Sequence, residues 1–232
     1  MSNRHVVAAA AIVASAFLYG CGGGGDAGST VTPVTSFPLQ TGYKARVSSG
    51  ATDSFSISGT CAGSATFTTS PATAATFEGV VGYSATTTST VNFTNCTPAT
   101  AAVTSTGYYD SNYTPLGSST PGVEYAKFLT APPALPASVK VGDTAVFATL
   151  TVYSDSTKAT VTGQRLLSYV IEADTATTAV ANLITKAYNT SSQLLFTQQL
   201  RYRIAADGTL TVISIDVQYS TTSTNHLVFT KT

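Results

Sequence analysis

The sequence predicts an all-β protein of antiparallel strands, and three observations support this fold class. Threonine is the most frequent residue, and threonine, valine and tyrosine suit the pleated, half-buried surface of a sheet. Only 9% of the residues are charged, so the long charged side chains typical of helices are scarce. In the C-terminal third, strand-like runs alternate with short polar turns, which favours pairing between neighbouring strands in sequence.

Six runs form the C-terminal β meander that we predict over residues 143–232. They cover residues 145–153, 160–173, 178–188, 193–205, 210–219 and 226–231. The loops between them are too short for the crossover helices of a parallel sheet. We therefore expect an antiparallel meander, arranged as a half-barrel or a sandwich.

The Asp207-Gly208 dipeptide predicts a type I′ turn between two of these runs, because Asp-Gly tolerates the positive φ that both central residues of this turn need. The turn fixes the pairing of the two strands and places the apolar side chains of both on one face. The predicted pairs are Tyr202 with Ile213, Leu200 with Ile215 and Phe196 with Tyr219.

Residues 42–121 form a threonine-rich N-terminal β region. Residues 54–61 alternate apolar and polar side chains, and 64–69 and 91–96 are similar. Residues 122–142 are assigned as a proline-rich connection, because proline donates no hydrogen bond to a sheet. Whether the two β regions share one sheet or form two remains open at this point.

The first 20 residues have the pattern of an export signal. Arg4 gives a positive start, and residues 6–18 are an apolar run too short to span a bilayer. The run ends in Leu18-Tyr19-Gly20-Cys21, which resembles the lipobox of bacterial lipoproteins. The resemblance implies a signal peptide over residues 1–20, cleavage before Cys21 and acylation of Cys21 with palmitate-type chains.

The resemblance also implies a location in the cell envelope. Acyl chains on Cys21 would anchor the protein to a membrane, and Gly22 in place of aspartate favours the outer membrane. Residues 21–41 are predicted to be a glycine-rich tether, since they contain few large apolar side chains. In an oxidising envelope, Cys61 and Cys96 are expected to form a structural disulfide, with two buried free thiols as the alternative.

The composition argues against several function classes. Eleven Lys and Arg balance eleven Asp and Glu, so no basic surface for nucleic acid is expected. His226 is the sole histidine after the leader and has no nucleophile motif beside it, so we predict no enzyme, no catalytic residue, no metal site and no cofactor.

Two groups of side chains are candidates for a ligand surface. Tyr108, Tyr109 and Tyr113 are placed to stack on sugar rings, although aromatic residues more often pack inside a protein. Arg201 and Arg203 form a polar patch, with Asp216 as the expected partner of Arg201.

We therefore expect a membrane-anchored, non-enzymatic lipoprotein whose β body faces the periplasm or the cell surface. Two alternatives stay open. The apolar face around Phe196, Leu200 and Ile215 suggests a carrier or binder of a lipid or another apolar ligand. The tyrosines suggest an adhesive module that binds carbohydrate or peptidoglycan, that is, a cell-wall glycan.

Overall fold

A computed structural model describes residues 32–220 and 225–232 of the chain. The expected signal peptide, the lipobox-like junction and the expected lipidation site at Cys21 lie outside the described residues.

The described part contains one helix, α1 (Leu39–Ser49), and thirteen strands. The strands are β1 (Ala51–Gly59), β2 (Gly63–Thr69), β3 (Thr73–Phe77), β4 (Val80–Phe93), β5 (Thr100–Asp110), β6 (Pro115–Thr120), β7 (Glu124–Phe128), β8 (Thr144–Tyr153), β9 (Val161–Ala173), β10 (Thr178–Asn189), β11 (Leu194–Ala205), β12 (Leu210–Tyr219) and β13 (His226–Lys231). Strands β8 to β13 match the six predicted C-terminal runs to within one residue at each end.

Twelve of these strands form a closed antiparallel barrel. Their order is β1-β2-β4-β5-β6-β7-β8-β9-β10-β11-β12-β13, and β13 pairs with β1. The 14-residue β4 makes the closure possible, because its C-terminal half pairs with β2 and its N-terminal half with β3. The all-β prediction is confirmed, but the half-barrel and the sandwich are wrong, since pairing of β2 with β4 removes the free edges that either would leave.

The N-terminal and C-terminal β regions contribute to this single barrel. They meet directly where β1 pairs with β13, and on the other side β7 joins them by pairing with β6 and with β8. Strand β7 lies at the start of the segment 122–142, which the sequence assigned wholly to a connection. The proline-rich residues 131–136 contain no strand and belong to the long loop between β7 and β8.

The turn between β11 and β12 differs from the predicted type I′ turn. Gly208 has a φ of 89°, but Asp207 does not have a positive φ. The Gly208 N–H donates to the Ala205 carbonyl at 2.9 Å, and the Thr209 N–H donates to the Asp207 carboxylate at 2.8 Å. Glycine therefore supplies the left-handed residue, and aspartate acts as a hydrogen-bond acceptor.

A bulge in β12 changes the predicted register near that turn. Leu200 pairs with Ile215 as predicted, but Tyr202 pairs with Val212 instead of Ile213. The shift buries Val212 and leaves Ile213 half-buried. The prediction was wrong here because a bulge inserts one residue that no alternation pattern reveals.

Side chains alternate between the interior and the outer face of the barrel. In β1, Asp53, Phe55 and Ile57 are buried and the residues between them are exposed. The rings of Phe55 and Phe67 lie 5.1 Å apart in the interior. The outer face of this side of the barrel is rich in hydroxyls, and one row of outward threonines crosses four strands: Thr52, Thr68, Thr88 and Thr104.

Helix α1 lies at one end of the barrel, beside the turn between β11 and β12. Gly42 packs so closely there that a Cβ atom would lie 1.9 Å from the carbonyl oxygen of Gly208. Just before the helix, Phe37 pairs with Val139 of the loop between β7 and β8, and both are 1% exposed. The part of the expected tether from Phe37 onwards is therefore packed against the barrel.

The expected disulfide between Cys61 and Cys96 is present. Its sulfur atoms are 2.07 Å apart, and the bridge joins the turn after β1 to the loop after β4.

Candidate functional site

The interior of the barrel contains a cavity of about 190 Å³ that is partly open to solvent. Residues from α1, from the loop between β7 and β8 and from most of the barrel strands line it. Its apolar wall is formed mainly by inward side chains: Phe55, Phe67, Phe128, Phe147, Leu150, Leu167, Leu183, Leu200, Val212 and Ile215. Leu135 of the proline-rich loop also lines the cavity.

A charged cluster lies where α1 meets the cavity. Asp53, which is buried, contacts the guanidinium of Arg46 from α1 and accepts a hydrogen bond of 2.8 Å from Nζ of Lys231. This helix-end cluster of Arg46, Asp53 and Lys231 carries two positive charges and one negative charge. The Arg46 guanidinium also lies 6.0 Å from the centre of the Tyr202 ring.

Three tyrosines line the cavity near this cluster. Burial raises the pKa of Tyr109 to about 12 and raises the pKa values of Tyr43 and Tyr202 above their ordinary value. The Tyr43 and Tyr109 rings meet edge to face with their centres 6.3 Å apart. At neutral pH all three therefore present neutral hydroxyl groups.

A second ion pair, Arg165 with Glu124, lies in the barrel wall at the cavity. Nη1 of Arg165 donates to Oε1 of Glu124 at 2.7 Å, and Nη2 contacts Oε2, so the pair is bidentate. Both residues line the cavity, and Arg165 is 8% exposed. Nε of Arg165 is buried and has no hydrogen-bond partner among the described residues.

The three tyrosines proposed to bind a glycan do not lie on a common surface. Strand β5 directs Tyr109 into the barrel and Tyr108 to the outer face, where Tyr108 stacks on Phe77 with the ring centres 4.3 Å apart. Tyr113 is buried and stacks on Tyr83 at 4.7 Å.

The two arginines proposed for a ligand surface are engaged in ion pairs on the outer face. Arg201 donates to Glu172 at 3.2 Å, and Arg203 donates to Asp174 at 2.6 Å. Burial raises the pKa of Glu172, although hydrogen bonds from Asn182 and Arg201 oppose this effect.

The predicted pair between Arg201 and Asp216 is replaced by a different contact. Asp216 lies 3.0 Å from Nε2 of His226, and Arg201 pairs with Glu172 instead. His226 begins β13, and its side chain is 41% exposed. It is thus a partly exposed residue at a strand end.

Sequence reasoning missed the charged residues of the interior. Asp53 follows the same alternation as Phe55 and Ile57, and Arg165 follows the same alternation as Leu167 and Tyr169. A charge in phase with an apolar face was therefore a signal available in the sequence. The partner of Arg165 could not be found from nearby residues, because Glu124 is 41 residues away in sequence.

Comparisons with protein-family models, with curated proteins and with solved structures find no match for this chain. Across residues 32–220 and 225–232, no cluster of three or more His, Cys, Asp or Glu side chains suits a metal ion. Within the same residues, no helix has both the length and the apolar character that a membrane crossing needs.

Proposed function

We propose that this protein is a lipid-anchored, non-enzymatic envelope protein whose barrel binds a small, mainly apolar molecule in its interior. The anchor is proposed from the lipobox-like junction at Cys21, and the outer membrane is the proposed location. The binding role is proposed from the cavity inside the barrel.

The size and lining of the cavity support this role. An apolar cavity of ~150 Å³ in another protein holds benzene, so about 190 Å³ suits a molecule with one ring or a short chain. Ligand sites in proteins are usually apolar pockets with a few polar groups, and the ion pairs and tyrosine hydroxyls described above are of that kind.

The adhesive alternative has less support. Tyr108 and Tyr109 lie on opposite faces of β5, so they do not stack on the same sugar ring.

Filling the cavity should abolish binding. We expect Leu167→Trp to weaken the binding of ethylbenzene by at least about tenfold, because the indole ring occupies the space of the ligand. Leu166→Trp is the matched control, since Leu166 precedes Leu167 on β9 and faces outward. Calorimetric titration of full-length chains carrying Cys21→Ser, which carry no acyl chain at residue 21, measures both affinities.

The chain contains no other tryptophan, so the introduced indole reports its own environment. Its emission should be blue-shifted in Leu167→Trp relative to Leu166→Trp. Equal ethylbenzene affinity in both variants and in the parent chain would contradict binding in the cavity.

The anchor has its own test. In cells fed a fatty-acid analogue, the wild-type protein should incorporate the label and Cys21→Ser should not, because the thiol carries the acyl chain. Cys61→Ser/Cys96→Ser is the control and should keep the label. Equal labelling of wild type and Cys21→Ser would contradict the proposed anchor.

A further inference from the structure

The helix-end cluster gives the cavity wall beside α1 a net positive charge. Asp53 contacts both Arg46 and Lys231, so two cations share one carboxylate. The side chains of Arg46 and Lys231 are only 23% and 30% exposed, so water solvates the surplus charge incompletely. The pair of Arg165 with Glu124 is neutral as a whole and does not offset this surplus.

Arg46 also has hydrogen-bond donors that the protein does not use. A guanidinium carries five N–H groups, and Asp53 accepts from Nη2 alone. The Tyr202 hydroxyl lies beside the same guanidinium. Arg46 lines the cavity, and within the described residues none of its nitrogens is both fully buried and unpaired. The remaining donors are therefore open to a ligand.

A carboxylate is the ligand group that fits these donors and this charge. A guanidinium binds a carboxylate through two parallel hydrogen bonds, and one added negative charge makes the cluster neutral. Tyr43, Tyr109 and Tyr202 line the cavity nearby with neutral hydroxyls, which are further donors for an anion. The Phe55 ring, whose centre is 5.9 Å from Nζ of Lys231, continues the wall as an apolar surface.

We infer that the barrel binds a small monocarboxylate with one ring or a short chain, and that its carboxylate accepts hydrogen bonds from Arg46. This inference rests on the proposed function, since the cavity must first be a binding site. Arg46 then determines specificity for the anion, Asp53 positions its guanidinium, and the apolar wall contacts the rest of the molecule.

Benzoate and acetophenone are matched probes, because a charged oxygen in the first takes the place of a methyl group in the second. In the full-length chain carrying Cys21→Ser, we expect benzoate to bind more tightly in calorimetric titrations. Arg46→Met should lower the affinity ratio of benzoate to acetophenone by about tenfold or more, the value that corresponds to a hydrogen bond to a charged group of ~1.5 kcal/mol. An unchanged ratio in the folded variant would overturn the inference.

Lys44→Met is the control for a general effect of charge. Lys44 also belongs to α1, but its side chain is exposed and lies over the ring of Tyr113, 5.3 Å from the centre. Its loss should change the ratio by less than about twofold, because salt screens exposed charges. Equal falls in Lys44→Met and Arg46→Met would contradict a direct contact with Arg46.

The tryptophan variants locate the bound anion. Arg46 also lines a groove on the outer side of α1, where the Asp207 carboxylate would repel a second anion. Leu167→Trp should therefore weaken benzoate binding by at least about tenfold, as for ethylbenzene, and Leu166→Trp should not. Benzoate affinity retained in Leu167→Trp would place the anion outside the cavity and overturn the inference.

A crystal of the parent chain soaked in 4-iodobenzoate covers the case in which Arg46→Met does not fold. Circular dichroism and retained ethylbenzene binding identify the folded variant. We expect the iodine inside the barrel and the carboxylate within hydrogen-bond distance of Arg46. A carboxylate directed away from Arg46, or no 4-iodobenzoate in the cavity, would overturn the inference.

The same probes separate this inference from the proposed function. If ethylbenzene binds in the cavity and benzoate binds no more tightly than acetophenone, this inference alone fails. If ethylbenzene, acetophenone and benzoate all fail to bind the parent chain, the proposed function fails, and this inference fails with it.

Discussion

Replacing Glu124 by leucine should destabilise the protein by about 3–5 kcal/mol, because the substitution leaves the Arg165 guanidinium buried without a counter-ion. The side chains of Arg165 and Glu124 are only 10% and 12% exposed, so water does not replace the lost partner. The urea midpoint of unfolding, followed by circular dichroism, measures the loss.

The double variant distinguishes a lost charge partner from lost packing. Glu124→Leu/Arg165→Met should recover most of the stability, because a buried ion pair and an apolar replacement of similar volume are often close in energy. The pair of Arg203 with Asp174 is the matched control: the side chain of Asp174 is 17% exposed, but that of Arg203, which the substitution leaves without its partner, is 50% exposed and can be solvated. Asp174→Leu should cost less than about 1 kcal/mol. Equal losses for Glu124→Leu and the double variant would contradict this account.

Removing the disulfide should have an effect of similar size. Cys61→Ala/Cys96→Ala is expected to lower the free energy of unfolding by about 3–4 kcal/mol, the chain-entropy value for a loop of 35 residues. The loop that the bridge closes contains β2, β3 and β4, and the pairing of β2 with β4 closes the barrel. Loss of the bridge therefore increases the conformational freedom of this segment in the unfolded chain.

A reduced wild-type sample provides the control for the disulfide. It should unfold at nearly the same urea concentration as the double alanine variant, since both lack the covalent bond and the alanine variant lacks only the two sulfur atoms in addition. Cys61→Ser/Cys96→Ser adds a buried hydroxyl at residue 61, which is 5% exposed, and should be less stable than the alanine pair. A loss below about 1 kcal/mol on removing the bridge would contradict the expected effect.

The sequence was informative where the signal was local. The six C-terminal runs became β8 to β13 because each has its own alternation and each loop is short. Barrel closure was not predictable, because it depends on the pairing of Phe67 with Ser89 and of Phe55 with Lys231, contacts that no single run encodes.

Helix α1 was missed for a related physical reason. Its buried residues are Leu39, Gly42 and Val47, and its partners Tyr109 and Tyr202 lie far away in sequence. A helix of this kind is stabilised by packing against the barrel and not by its own apolar stripe.

The polar part of the candidate site was missed because its residues are brought together by strands that are far apart in sequence. Of the predicted apolar face around Phe196, Leu200 and Ile215, Leu200 and Ile215 line the cavity and Phe196 does not. The polar contacts were predicted at Tyr108, Tyr109, Tyr113, Arg201 and Arg203, because exposed aromatic and charged residues are the usual signs of binding. Of these residues, Tyr109 alone lines the cavity. The polar groups that line the cavity, such as Arg165, are brought together with their partners only when the barrel closes.

The central claim is that the interior of this barrel is a binding site, and a crystal of the protein soaked in iodobenzene tests it most directly. The anomalous signal of iodine locates the ligand without reference to any variant. We predict one strong iodine peak inside the barrel, in contact with Leu150, Leu167 or Leu200. Iodine peaks confined to the outer surface, with no anomalous signal in the cavity, would contradict the claim.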